Sequence, residues 1–232
     1  MLDINKHKYF LVSILKEIYS DTELATLLGF KGNTAQMLFY DLPRFSIDLD
    51  FNLLDQKESS IVYHKVRTII SKYGKIRDEA EKHFGLLVVL NYEDLERNLK
   101  VEISNRKFQA RYETKHFLGI AMKVMVKPDM FAHKLCALPD RNMLTSRDVF
   151  DVYYFLKQRT PVNKHIIEDR MNQSFRKYLD VCISQIEAIP SSSLLNGIGE
   201  LVDKNMKTFV KQELKGETIQ LLRMFQEFAV FE

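Results

Sequence analysis

The sequence predicts an α+β fold, a small mixed sheet flanked by helices in the first half and a helical bundle in the second. Three observations carry this. Apolar residues near the start recur at helical spacing, the middle of the chain shifts to strand-like runs and alternation, and strand signals stop at Pro128. We place residues 1–126 in one domain and 127–232 in a second.

Taken in order, Phe10, Leu11, Ile14, Leu15 and Ile18 predict a helix from Lys6 to Tyr19. Ser20 with Glu23 is a capping-box pattern opening a short helix from Thr22 to Leu28, which Gly29 ends. A brief strand or turn leads to Gly32-Asn33-Thr34, then a helix from Ala35 to Tyr40 that Pro43 stops. Ser46 to Phe51 alternates as a strand, Gln56 to Ser60 is a polar loop, and Ser60 to Tyr73 is an amphipathic helix closed by Gly74. Leu86 to Leu90 and Leu99 to Ser104 read as strands, with Asn91 to Asn98 as their hairpin connection. Phe117 to Val126 is strand-like, with Gly119 a turn or bulge. Pro128 suits a first helical turn, with Phe131, Leu135 and Leu138 on one side. Ser146 to Leu156, capped by Thr145 or Ser146, is the next helix. Asn163 to Met171, Phe175 to Ile189, Leu194 to Leu214 and Glu217 to Phe228 follow, broken by Pro161, Pro190 and Gly216; Pro190 to Ser193 is a turn.

The composition is that of a globular protein, with 46% hydrophobic and 28% charged residues in 232. A net charge of +3 does not mark the whole chain as a nucleic-acid binder. Cys136 and Cys182 show no CxxC spacing, which argues against a zinc cluster or a disulfide scaffold and fits a reducing compartment. The apolar run Tyr9 to Leu15 is short and lacks a cleavage site, and no segment has the length of a membrane span. These features predict a cytoplasmic protein without membrane association.

Chemistry concentrates at Asp48-Leu49-Asp50. Side chains alternate along a strand, so both carboxylates face one side while Ile47, Leu49 and Phe51 face the other. Two like charges so placed repel unless a cation lies between them, and such oxygens suit Mg²⁺ completed by substrate phosphates. The plainer reading is a solvated strand face, although Asp is disfavoured in strands. Glu102, on the alternating run Lys100 to Ser104, is a third carboxylate if its strand lies beside the first; otherwise it faces solvent. Arg106 follows it, as a phosphate contact or a surface charge. Gly32-Asn33-Thr34, a glycine turn entering a helix, presents backbone N–H groups and the positive dipole end, which suit a phosphate. It is neither a P-loop nor a dinucleotide fingerprint. Asp148 and Asp151 share a helix face. They are either an acidic stripe served by Arg141 and Arg147, or, with Lys134, part of a triphosphate site. The six histidines have no metal spacing.

Five blocks then acquire a joint meaning. They are Gly-Asn-Thr-Ala, Leu-Pro-Arg-Phe-Ser-Ile-Asp-Leu-Asp-Phe, Lys-Val-Glu-Ile-Ser, Pro-Asp-Met-Phe-Ala-His-Lys-Leu and Arg-Asp-Val-Phe-Asp-Val-Tyr. Between about Phe30 and Leu156 their order and spacing resemble the AbiEii/AbiGii toxin family, nucleotidyltransferase-like proteins of type IV toxin–antitoxin and abortive-infection systems. The resemblance implies a DNA polymerase beta-like nucleotidyltransferase sheet followed by a helical domain that supplies Lys134 and Asp148 to the active site. It implies nucleotide binding by Gly32, Asn33, Thr34, Ser46 and Lys134, and metal binding by Asp48, Asp50 and Glu102. Asp48, Asp50, Lys134 and Asp148 are the implied catalytic set, with Mg²⁺ or Mn²⁺ as cofactor. The family turn usually reads Gly-Gly-Thr or Gly-Ser; Asn33 departs from it, and asparagine tolerates a left-handed backbone. The implied activity is transfer of a nucleoside monophosphate from an NTP to RNA, tRNA foremost, with a cognate antitoxin as partner. A lysine stripe, Lys204, Lys207, Lys211 and Lys215, is either an RNA face or an ordinary solvated one. Two other readings are nucleotidylation of a protein hydroxyl and a catalytically inactive nucleotide-binding or interaction module.

Overall fold

The structure is a computed structural model that describes residues 3–82, 85–92, 98–140, 145–190 and 193–232. The chain divides into two compact units, one of Met1–Lys107 with Tyr112–Met125, the other of Phe108–Arg111 with Val126–Glu232.

The first unit opens with α1 (Ile4–Ser20) and α2 (Thr22–Leu27). The cap between them is Asp21, whose carboxylate accepts from the N–H groups of Glu23 and Leu24 at 3.0 Å each. Ser20, the expected cap, is the last residue of α1. A carboxylate serves the helix dipole better than a hydroxyl, and it also receives Lys65 at 2.9 Å. Next come β1 (Leu28–Lys31), α3 (Gly32–Phe39), β2 (Asp48–Leu53), a 3₁₀ turn at Gln56–Glu58 and α4 (Ser59–Ser71). Strands β3 (Lys75–Lys82), β4 (Gly85–Asn91), β5 (Leu99–Ser104), β6 (Tyr112–Phe117) and β7 (Ile120–Met125) complete the unit.

Among the described residues these seven strands form one sheet, in the order β3-β4-β5-β2-β1-β7-β6. It is mixed: β2 runs parallel to β5 and β1 to β7, and the other pairs are antiparallel. The antiparallel β4–β5 pair agrees with the expected hairpin, though residues 93–97 of its connection lie outside the described residues. Gly29 does not end α2 but lies in β1, where the Tyr112 ring occupies the space a Cβ would need. The Tyr112 hydroxyl accepts from Asn52 Nδ2 at 2.7 Å, opposite Gly29 in the ladder. No apolar run or alternation in the sequence marks β3 or most of β6. Both are sheet edges and carry charges along their length, as in Lys-Ile-Arg-Asp-Glu-Ala-Glu-Lys, a pattern that discourages pairing with another chain and hides the apolar alternation.

The buried face of α1, with Leu11, Ile14, Leu15, Ile18 and Tyr19, covers one side of the sheet, the Tyr19 ring lying 6.2 Å from that of Phe51. Leu49, Phe51, Phe30 and Val101 are buried in this core. Alternation therefore sends Asp48 and Asp50 to the opposite side.

The second unit is helical: α5 (Lys127–Asp140), α6 (Ser146–Lys157), α7 (Lys164–Met171), α8 (Phe175–Glu187), α9 (Lys204–Gln212) and α10 (Leu214–Phe228). Phe131 of α5 stacks on Phe155 of α6 at 5.1 Å and meets Phe225 of α10 at 5.5 Å. Asp129 at the start of α5 accepts from the Arg111 guanidinium at 2.7 Å, the Arg111 N–H at 2.6 Å and Asn163 at 2.9 Å. Two expectations fail here. Gly216 does not break a helix but lies in the first turn of α10, where α10 begins three residues earlier than expected. The run from Leu194 to Leu214 forms turns before α9 starts at Lys204, capped by Asp203. The expected turn at Pro190 to Ser193 includes residues 191–192, outside the described residues.

Candidate active site

The site begins with β2. Leu49 and Phe51 are fully buried, which fixes the strand's rotation and leaves Asp48 and Asp50 half-buried on the other face. Parallel pairing sets Asp50 beside Glu102 and Asp48 beside Lys100; antiparallel pairing sets Lys31 on the other side of Asp50. Register partners share a face, so Lys31, Asp50 and Glu102 form one row across three strands. Glu102 thus lies next to the aspartate strand, as expected, with its side chain exposed.

The helix start is brought to the same place. β1 ends at Lys31, opposite Asp50, and α3 begins at Gly32. Gly32 has φ +74°, and a Cβ there would overlap the Asp50 carboxylate. Only glycine satisfies both conditions, so the first turn of α3 lies directly against Asp50. The cap residue Lys31 has no acceptor to give its side chain to this helix end. Asn33 is not among the left-handed residues. The left-handed step is made by Gly32, so an asparagine in the second position of the turn costs nothing in backbone strain. Thr34 and Ser46 are buried, and their hydroxyls lie 2.9 Å apart. The Thr34 hydroxyl also donates to the backbone carbonyl of Asp48, tying the helix start to the aspartate strand. Those two hydroxyls act inside the protein; the groups of this turn suited to a phosphate are backbone N–H.

Among the described residues, no three His, Cys, Asp or Glu side chains gather closely enough to hold a metal ion. The site is therefore not a protein cage. Two carboxylates on one strand face nevertheless match the donor set of Mg²⁺, which keeps waters and takes one or two carboxylates plus phosphate oxygens.

Lys134, Asp148 and Asp151 belong to the second unit. Asp148 and Asp151 are buried, so they are not a solvated acidic stripe. Asp151 receives Lys134 Nζ at 2.9 Å, and Asp148 accepts from the Thr145 hydroxyl at 2.7 Å. Arg141, one expected partner, lies outside the described residues. The lysine stripe is interrupted. Lys204, Lys207 and Lys211 share α9, but Lys215 is in α10 and donates to the carbonyls of Glu187 and Ile189 at 2.7 and 2.8 Å, closing the end of α8. Arg106 follows β5 with its side chain exposed, and its backbone N–H donates to Ser104 Oγ at 3.4 Å.

Two residues of this region escaped the sequence reading. Strand register brings Lys31 beside Asp50, which no local pattern reveals. His7 was legible in principle: it extends the buried stripe of Leu11, Ile14 and Ile18 by one turn, a polar residue on an apolar face.

The sequence matches the family described as "Nucleotidyl transferase AbiEii toxin, Type IV TA system" over residues 13–228. No curated protein matches it. The crystal structure of JHP933 from Helicobacter pylori is similar in fold, with a TM-score of 0.62 and 21% identity over 98% of this chain and 93% of that one. A second Helicobacter pylori structure, described as a candidate nucleotidyltransferase, has a TM-score of 0.63 and 21% identity over 98% and 96%.

Proposed function

The chain belongs to the AbiEii nucleotidyl transferase toxin family of type IV toxin–antitoxin systems, and from that premise we propose that it transfers a nucleoside monophosphate from an NTP to an RNA acceptor, tRNA foremost, using Mg²⁺ at Asp48 and Asp50. The observation that supports this most is the joint placement of the two carboxylates on one face of β2 with the first turn of α3 against Asp50. Carboxylates and helix N–H groups side by side suit a triphosphate bound together with a cation. Bound Mg²⁺, or Mn²⁺ in its place, would offset phosphate charge and lower the pKa of the attacking hydroxyl.

The residues of the chain divide the remaining work. The N–H groups of the α3 first turn and its dipole hold the anionic phosphates. Thr34 and Ser46 keep that turn fixed to β2. Glu102, exposed beside Asp50, is assigned as the third carboxylate toward the metal on the family resemblance and this register. Lys134 and Asp148 are assigned on the family resemblance alone, as its motif lysine and last acidic motif. In the reaction the acceptor hydroxyl releases its proton to solvent as its oxygen bonds to the α-phosphorus, the bond from that phosphorus to the bridging oxygen breaks, and pyrophosphate leaves. A cognate antitoxin is the expected protein partner.

The test is incubation with α-labelled NTPs, Mg²⁺ and total RNA, with Asp48→Asn and Asp50→Asn as controls. Label on RNA, lost in both variants, is the expected result. Label on protein instead would establish nucleotidylation of a hydroxyl side chain. No label anywhere from folded protein would leave a binding module and refute the proposal.

A further inference from the structure

We propose that His7 is a positioning residue for the metal-binding strand, fixing the peptide that enters Asp48. This rests on the reading of Asp48 as a metal ligand. His7 is fully buried on the core face of α1. Its Nε2 lies 2.9 Å from the carbonyl of Ile47, and its Nδ1 lies 2.6 Å from the Tyr92 hydroxyl. A carbonyl only accepts, so Nε2 donates its proton to Ile47, and Nδ1 pairs with the Tyr92 hydroxyl.

The need for such a clamp follows from the sheet. The β1–β2 ladder runs out at Lys31 and Asp50, because the chain turns into α3 at Gly32. Asp48 lies beyond that ladder, and Ile47 precedes the strand altogether. Side chains replace the missing strand. The Thr34 hydroxyl takes the Asp48 carbonyl, and His7 takes the Ile47 carbonyl. The two peptide planes on either side of the Asp48 Cα are thereby held, and with them the direction of its carboxylate. The imidazole is itself locked, edge-on to Phe45 at 5.9 Å and to Tyr92 at 5.6 Å, while Phe10 stacks on Tyr92 at 4.4 Å. A leucine at position 7 would offer no N–H to the Ile47 carbonyl.

The experiment measures Mn²⁺ affinity by paramagnetic resonance and amide hydrogen exchange across β2, on the full chain. The variants are His7→Leu, His7→Gln and Tyr92→Phe. Removing a group that orients a ligand typically weakens metal binding about 10- to 100-fold, which is the loss expected for His7→Leu, together with faster exchange at Asp48 to Asp50. His7→Gln restores a donor near the Nε2 position and is expected to recover most of the affinity. Tyr92→Phe, which leaves the core filled, is expected to shift both readouts in the same direction but less, and it carries the test if His7→Leu does not fold. Wild-type values in both His7→Leu and Tyr92→Phe would overturn the proposal. His7→Gln no better than His7→Leu would overturn the donor role and leave only packing. Wild-type protein that binds no Mn²⁺, yet shows slow β2 exchange that His7→Leu abolishes, would refute the metal reading while upholding the clamp on the strand.

Discussion

Gly32 offers the sharpest test of the site's construction, because Gly197 supplies a matched control. Their φ angles are nearly equal, +74° and +76°. An alanine at either position therefore meets the same backbone strain, about 1–2 kcal/mol, partly offset by the smaller unfolded-state entropy of alanine. At Gly197 the added methyl would meet nothing within 4 Å. At Gly32 it would lie 2.8 Å from both Cβ and Cγ of Asp50 and overlap a carboxylate oxygen. The aspartate cannot swing clear while its own Cβ is in the way, so the helix start or β2 must shift. Overpacking of this kind adds about 1–3 kcal/mol. We expect Gly197→Ala to cost about 1 kcal/mol and Gly32→Ala roughly 2–4 kcal/mol. Urea denaturation of both variants, compared at equal slope, measures the difference. Gly32→Ala should also weaken Mn²⁺ binding in folded protein, whereas Gly197→Ala should not. Equal destabilisation by the two substitutions would refute the close approach of the α3 start to Asp50.

Four further outcomes are expected. Gln36 is 1% exposed and neither amide atom is hydrogen-bonded, so Gln36→Leu should be neutral or stabilising by up to about 2 kcal/mol in thermal unfolding. Lys134→Met leaves the carboxylate of fully buried Asp151 without its ammonium and should cost about 3 kcal/mol, while Lys134→Met with Asp151→Leu should recover much of that; label transfer by the stable double variant then separates a chemical role of Lys134 from a structural one. Burial pushes the Asp129 carboxyl up, but the Arg111 guanidinium, Asn163 and the Arg111 N–H outweigh it and hold its pKa below the ordinary value of 3.8. Its contribution is thus full above pH 3.8 and is lost as pH falls through the lower folded value, so urea midpoints of Asp129→Asn should be lower than wild type at neutral pH and vary less with pH below 3.8. Cys136 and Cys182 are buried and not in a disulfide, and burial pushes the Cys182 thiol up to about 12, so a thiol reagent should label neither in native protein and both after denaturation.

Local chemistry made much of the fold legible. The helices of the second unit carry strong apolar periodicity, and their positions followed from it, with ends displaced where local signals competed. Ser20 yielded the cap to Asp21 because a carboxylate serves a helix start and a lysine at once. Gly216 is tolerated inside a helix because α10 is held by its buried face, Leu214, Thr218 and Leu222. The strands β3 and β6 stayed hidden because edge strands answer to solvent on one side and to neighbouring chains, not to a core alone.

The sequence alone places Asp48 and Asp50 on one strand face, since strand periodicity is local and apolar Leu49 and Phe51 must be buried on the other. It also determined the family, because five blocks in order are a property of the chain alone. What stands around those aspartates depends on the folded chain. Register set Lys31 and Glu102 beside Asp50, the end of β1 turned the chain so that Gly32 meets a carboxylate, and burial drew the Thr34 hydroxyl and the His7 ring onto the backbone on either side of Asp48. The physical reason is one of range. Propensity and alternation act over a few residues, whereas these contacts join positions that only sheet pairing and core packing bring together.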